Sequence, residues 1–248
     1  MSTSTLSAYV SKYHGKTEIE GETYAILGDL LTDFKPDQTH LMDVKMGKRT
    51  FKESAVKDKK RRMDLLQKMV KTKRDEATEE ELEHGITKLR YQQFREKMST
   101  SESLGFRVDA MSVPDTNGKS VSAEEAKKMA TSAEVKACFL EYVAGRKDCW
   151  SVLLHKLKAL RVLLEESDWF ANHELIGSSL FFAFDCSNPD AQSCGVWMID
   201  FANATPSARP LTHRAEWIFN EEEGGNQEEG YLSGLDNLID LWEALEVH

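Results

Sequence analysis

The sequence predicts an α+β fold, and three observations carry that expectation. Residues 40–46 alternate like a strand, with Leu41, Asp43 and Lys45 on one side and Met42, Val44 and Met46 on the other. Residues 178–185 and 195–202 read as a strand hairpin around the loop Asn188-Pro189-Asp190. Residues 151–165 and the segment from Gly230 repeat leucines at helical spacing, as core helices do. A chain of 248 residues, 40% hydrophobic and 30% charged, can bury a substantial core as one large domain or two small lobes.

Composition excludes several classes. No apolar run approaches the roughly 20 residues that cross a bilayer. The start, Met1-Ser2-Thr3-Ser4-Thr5, lacks the basic and apolar regions of a secretory signal. Cys138, Cys149, Cys186 and Cys194 form no CxxC and the histidines no HxxxH, so a structural metal site is not expected. Cys186 and Cys194 could face each other across the hairpin, although reduced thiols suit a cytosolic or nuclear protein better. The net charge of −10 hides an asymmetry: residues 45–74 hold thirteen Lys or Arg against three acids, a local +10 that leaves −20 elsewhere. Such a segment presents itself to an anion. With one aromatic, Phe51, it is poorly equipped to stack on bases, so phosphates or an acidic protein fit better than nucleic acid.

In chain order, residues 1–35 read as a short helix and then strand segments, with a turn at Gly21-Glu22-Thr23. Tyr24-Ala25-Ile26-Leu27 leads into Gly28-Asp29-Leu30-Leu31, and Lys35-Pro36-Asp37 forms a loop. Neither GxGxxG nor GxxxxGK[ST] is found, nor a second strand whose lysine could hold nucleotide phosphates. In the strand at 40–46, Asp43 and Lys45 project from one face and Gly47 lets the chain turn. An acid beside a base there suits deprotonation of a hydroxyl next to a bound anion. It equally suits an edge strand with a weak surface ion pair.

Residues 59–71 have helical spacing, with Met63, Leu66, Met69 and Val70 as an apolar stripe among cations. Calmodulin wraps segments of this kind, and an ordinary surface helix has the same pattern. Thr78 with Glu81 makes a capping box opening a helix to about Met98. Leu82, Ile86 and Leu89 fall on one side of it; Lys88, Tyr91, Gln92 and Arg95 gather on another, as a phosphate-binding or a solvated face. Residues 103–110 read as a strand and 114–118 as a turn, and a helix capped at Ser132 stops before Gly145. In Ile199-Asp200-Phe201-Ala202 an acid follows an apolar strand, where phosphotransferases place a magnesium ligand.

Together these residues resemble the inositol polyphosphate kinase family, most closely its inositol 1,4,5-trisphosphate 3-kinases, from about Lys12 to Glu243. The family's DxKxG signature stands as Asp43-Val44-Lys45-Met46-Gly47, and its phosphate-binding helix resembles Thr87-Lys88-Leu89-Arg90-Tyr91-Gln92-Gln93-Phe94-Arg95-Glu96. Later blocks resemble Leu104-Gly105-Phe106-Arg107, Ile176-Gly177-Ser178-Ser179-Leu180, Ile199-Asp200-Phe201 and the run Gly230-Tyr231-Leu232-Ser233-Gly234-Leu235-Asp236-Asn237-Leu238. About 56 residues separate Gly47 from Leu104, a long insert that favours the 3-kinases over the multikinases and hexakisphosphate kinases.

The resemblance implies a reduced protein-kinase-like fold (SAICAR-synthase-like) of two lobes. Residues 1–40 would be an apparently truncated N-lobe, and 41–248 a catalytic C-lobe with a helical inositol-phosphate-binding insert at 52–100. It implies ATP-dependent phosphorylation of inositol 1,4,5-trisphosphate at the 3-hydroxyl, ending calcium-release signalling in the cytoplasm. Asp43 would be the general base and Lys45 would hold a substrate phosphate and neutralise the transferring group. Arg62, Leu65, Lys68, Lys88, Tyr91 and Arg95 would grip the substrate. Gly28, Asp29 and Leu30 would meet the adenine, and Asp43 and Asp200 the ATP phosphates, with Asp200 as the Mg2+ ligand. Calmodulin would bind at residues 59–74. Three family lysines are missing: one lies upstream of the matching region, and Ser112 and Asn203 stand in place of the others. A weaker ATP grip is expected from these departures, with an inositol-phosphate or calmodulin-binding form lacking a complete ATP pocket as the alternative. An N-lobe short of strands would also leave an open sheet edge.

Overall fold

The computed structural model describes residues 5–114, 123–126, 128–185, 193–220, 222 and 224–247. The turn expected at 115–118, the loop Asn188-Pro189-Asp190 and Cys186 lie outside them. The chain starts with a 3₁₀ turn, Leu6–Tyr9, where a short helix was expected. An antiparallel hairpin follows, β1 (Tyr13–Ile19) with β2 (Glu22–Leu27), turning at Glu20 and Gly21 rather than one residue later. Its Tyr13, Ile19, Tyr24, Ile26 and Leu27 are exposed.

The next strand, β3 (Thr39–Met46), keeps the predicted alternation. Met42, Val44 and Met46 are buried and Leu41, Asp43 and Lys45 are half-buried on the other face. Five helices then build the insert and the return from it: α1 (Ser54–Lys57), α2 (Met63–Thr72), α3 (Glu79–His84), α4 (Lys88–Lys97) and α5 (Ser101–Leu104). The chain returns as β4 (Phe106–Ser112), α6 (Ala123–Ala126), α7 (Ser132–Val143), α8 (Lys147–Glu165) and α9 (Asp168–Ala171). Last come β5 (His173–Leu175), β6 (Ser179–Asp185), β7 (Cys194–Ile199), β8 (Ala204–Pro206) and α10 (Tyr231–Glu243).

Four strands form one antiparallel sheet in the order β4-β3-β6-β7. β3 is therefore interior, which overturns the edge-strand reading of Asp43 and Lys45. One face of the sheet is covered by α7, α8 and α10 through Phe139, Tyr142, Leu157, Leu160, Leu235 and Trp242, all buried. α10 presses so closely on the turn before β4 that a Cβ on Gly234 would lie 2.0 Å from the Gly105 carbonyl oxygen. Only glycines allow that approach.

The insert has a core of its own: Leu65, Leu66, Met69, Ile86 and Phe94, with Val70, Leu82 and Tyr91 packed around it. Two expectations change here. Met63 is exposed at the start of α2 while Leu65 takes the buried position, because the helix begins at Met63 rather than Lys59. The expected single helix 78–98 is two helices. The Thr78–Glu81 capping box opens α3, Gly85 at φ +80° ends it, and the Thr87 hydroxyl caps α4 by accepting from Arg90 N.

Other boundaries shift by a few residues. β4 starts at Phe106, because α5 and a left-handed Gly105 occupy 101–105. Thr131, not Ser132, caps α7 through a capping box with Glu134, and β7 ends at Ile199. Cys194 lies opposite Phe184 on β6 and beside Cys149 of α8; Cys138, Cys149 and Cys194 are buried free thiols.

Candidate active site

The exposed face of β3 carries the chemistry. Asp43 and Lys45 share it with Ser179 of β6, whose backbone pairs with Lys45, and with Arg107 of β4, paired on the other side. A β-bulge interrupts the ladder, so that Asp43 faces Ala110 and Val44 faces Val108. The extra residue is Asp109, and its Oδ1 accepts from Arg107 Nε at 2.9 Å. Asp43 Oδ1 and the Ser179 Oγ are both buried without a well-aligned hydrogen-bond partner. Burial pushes the Asp43 carboxyl above the usual carboxylate range; the Ser179 hydroxyl pulls it partly back, Asp109 and Asp200 push it up again, and Lys45 opposes them. Lys45 does not form the surface ion pair. Its Nζ donates to the Gly177 carbonyl at 3.0 Å.

Behind this strand a buried network fixes the turn. Gly47 (φ +98°) donates its N–H to Gly105 O, and Lys48 N and Arg49 N both donate to Glu229 O. Arg49 donates to Phe51 O, Glu228 O and Glu174 Oε1, the last at 2.5 Å. His213 and Glu229 are paired at 2.5 Å, both buried, and the other ring nitrogen donates to Phe170 O. Arg49, Glu174, His213 and Glu229 leave no signal in the sequence, since partners 125 residues apart in one pair and 16 in the other share no helix or strand whose period would show them.

Two of the cavities beside α4 hold expected substrate residues. One, of about 580 Å³, is lined by Lys68, Lys71, Tyr91, Arg95, Arg107 and Lys128 among others, with no carboxylate among the described residues of its wall. The smaller, about 230 Å³, has Thr50, Lys52, Lys88, Gln92 and Asn203 in its wall. Of the expected substrate grip, Lys68, Tyr91 and Arg95 therefore come together, and Lys88 stands in the adjoining cavity. Arg62 lines neither and is held bidentately by Asp64, at 2.8 and 2.6 Å. Leu65 belongs to the insert core beneath.

A third cavity, about 820 Å³, lies between the N-terminal turn, the hairpin and the end of β7, lined by Leu6, Val10, Leu27, Leu164, Met198 and Asp200 among others. Its apolar wall suits a purine, and among the described residues no Lys or Arg lines it. Gly28, Asp29 and Leu30 follow Leu27 but are not in that wall. Gly28 is tied to Lys12 O and Ser11 Oγ, and Asp29 Oδ1 accepts from Leu31 N. Asp200 is exposed, in the left-handed conformation (φ +66°), at the break between β7 and a 3₁₀ turn. Among the described residues no three His, Cys, Asp or Glu are arranged to hold a metal alone. A single carboxylate still fits Mg2+, which keeps most of its shell for water and phosphate oxygens. Among those residues, too, no helix is long and apolar enough to cross a membrane.

An antiparallel sheet with a carboxylate strand, a purine-sized cavity and a cationic insert define a kinase-like protein, and solved structures agree on the fold. The inositol phosphate multikinase of S. cerevisiae, solved with ADP and Mn2+, matches with a TM-score of 0.61 at 17% identity, over 97% of this chain and 90% of that one. A family model for inositol polyphosphate kinase matches residues 24–243. An inositol-trisphosphate 3-kinase homolog from Caenorhabditis elegans is 39% identical over 97% of this chain and 47% of its own length. Human inositol-trisphosphate 3-kinase A is 38% identical over 97% and 50%. The chain spans about half the length of these relatives. It belongs to the inositol polyphosphate kinase family.

Proposed function

We propose that the chain transfers the γ-phosphoryl group of ATP to the 3-hydroxyl of inositol 1,4,5-trisphosphate, giving inositol 1,3,4,5-tetrakisphosphate. The observation that carries the reading is how the cations are paired. Around the insert Arg61, Arg62, Lys73, Arg90 and Lys97 all have carboxylate partners. The cations in the wall of the 580 Å³ cavity, apart from Arg107, have none among the described residues, as befits a site for a polyanion. The names of the relatives supply the particular substrate and position.

In this reading Asp43 accepts the proton of the attacking hydroxyl, its unpartnered Oδ1 offering the lone pair. Lys45, anchored on Gly177 O, keeps its remaining donors for phosphate oxygens. Lys68, Tyr91 and Arg95 hold ring phosphates from one cavity and Lys88 from the next. Arg62 joins them by exchanging Asp64 for a phosphate, and Leu65 supports the wall from within. When bound, ATP supplies the phosphoryl group and Mg2+ on Asp200 screens its charge. Catalysis here is mostly positioning and charge neutralisation.

The proposal extends to a division into a partial N-lobe (1–40), a C-lobe (41–248) and the insert (52–100), to a cytoplasmic location, and to ending calcium-release signals. Calmodulin binding at 59–74 is part of it at a cost. Leu65, Leu66 and Met69 are committed to the insert core, so α2 would have to give up burial worth roughly 1.5–3 kcal/mol per side chain. The second reading, a binding form without efficient turnover, is favoured by one observation: among the described residues the apolar cavity has no cation in its wall.

The test is turnover of inositol 1,4,5-trisphosphate with ATP and Mg2+ by the chain and by Asp43→Asn. Expected are formation of the tetrakisphosphate and a loss of about 10³-fold in kcat for the variant, in the range of general-base effects. Wild-type-like turnover by the variant removes Asp43 as base. Tight inositol phosphate binding without ATP binding selects the second reading.

A further inference from the structure

The 580 Å³ cavity lies between two parts of the molecule. Lys68, Lys71 and Thr72 come from α2 and Tyr91, Phe94, Arg95 and Met98 from α4 of the insert; Arg107 comes from β4 and Lys128 from the turn after α6. Arg107 is its floor, 4% exposed, with Nε on Asp109 and Nη1 on Ser101 Oγ. Arg95 lies near enough to Arg107 to make its positive charge less favourable, on top of burial. α6 packs on β4, which brings Lys128 to the cavity from the sheet side, while Lys71 approaches from the insert. In a protein of net charge −10, these are like charges of which only Arg107 has a carboxylate partner among the described residues, and a bound anion relieves their repulsion.

We infer that Lys71 and Lys128 are phosphate-binding residues of this cavity, closing the grip from the insert and the sheet sides respectively. Neither belongs to the set that the family resemblance assigns, and the inference rests on the substrate reading above. Both side chains are exposed and neither has an ion-pair partner among the described residues, so removing them costs the fold little. A single ligand would then bridge insert and sheet.

The experiment is calorimetric titration of inositol 1,4,5-trisphosphate into the full chain and into Lys71→Ala, Lys128→Ala, the double variant, Lys128→Arg, and Lys16→Ala on the distant hairpin. Each single alanine is expected to weaken binding about 5- to 10-fold and the pair by about 30-fold or more, the lower range for hydrogen bonds to charged groups because these are exposed and screened. Lys128→Arg is expected to stay within about twofold, and Lys16→Ala likewise, with thermal unfolding and the KM for ATP unchanged throughout. A double variant that binds as the wild type does overturns the inference and leaves the substrate reading standing. An equal loss in Lys16→Ala also overturns it, reducing the effect to long-range charge. Absence of binding by the wild type removes both readings together.

Discussion

Arg49 behind β3 is 3% exposed and donates to three acceptors, whereas Arg95 on α4 is half-buried and has no partner among the described residues. Arg49 lies inside the basic segment 45–74 and Arg95 beyond the acidic run that follows it, and the turn behind the sheet and the cavity beside the insert use charge in opposite ways. Behind the sheet Arg49 is answered by a carboxylate and two carbonyls, and the result is a fixed turn from Gly47 to Phe51. In the cavity beside the insert Lys68, Lys71, Arg95 and Lys128 have no carboxylate partner among the described residues, and the result is a surface that needs a ligand. A buried pair that loses one member strands the other in low dielectric; an exposed cation that is lost costs only what it was bound to.

Arg49→Ala gives the largest break in that comparison. It leaves Glu174 buried with only Thr205 Oγ1 as donor and opens space beside Phe51 and Trp217, over which the guanidinium sits. A loss of about 3–5 kcal/mol is expected. At roughly 2–4 °C per kcal/mol for a chain of this size, thermal unfolding should fall by about 10 °C. Arg95→Ala should do the reverse. Its unfolding temperature stays within a degree or two, and the Kd for inositol 1,4,5-trisphosphate rises about 10- to 100-fold, the range for one lost hydrogen bond to a charged group. Arg61→Ala, whose partner Glu80 is well exposed, should move neither quantity by more than about 1 kcal/mol. Calorimetry and thermal melts on the three variants sort them. A destabilised Arg95→Ala, or a stable Arg49→Ala, would erase the distinction.

How far the sequence made this legible depends on whether a feature is local. The alternation of β3, the capping box at Thr78 and the apolar face of α10 (Leu232, Leu235, Leu238, Ile239, Trp242) each stand in a short window, and each is present, while Leu245 is buried just past the helix end. Gly85 was visible too, but a good cap before it and a helical pattern on both sides outweighed one glycine. The second cap at Thr87 is what makes two helices of one. Arg107 and Asp109 needed the bulge, which turns two neighbours on a strand into a floor and a neighbour of Asp43. The basic segment was read as one charge. Paired, it separates into Arg61 and Arg62 on their carboxylates and Lys68 and Lys71 in the cavity.

The smallest effect concerns Asp43, whose Oδ1 is buried in the sheet without a well-aligned partner. Its carboxyl is raised, so the folded chain binds that proton more tightly than the unfolded one does. Its contribution to stability is therefore present at low pH and lost as pH rises through the raised value. Activity runs the other way, because a base must be ionised. The acid limb of kcat/KM is expected above the ordinary carboxylate value of about 3.9. Asp109→Asn removes a negative neighbour and should move that limb down, which pH–rate profiles of the two proteins will measure. Asp43→Asn cannot ionise, so above the raised value it should unfold slightly later than the wild type, and the difference should close as pH falls. A variant that is less stable at neutral pH and unchanged at low pH would mean that Asp43 is held ionised by its neighbours. Its cost to the fold would then be no part of how it works as a base.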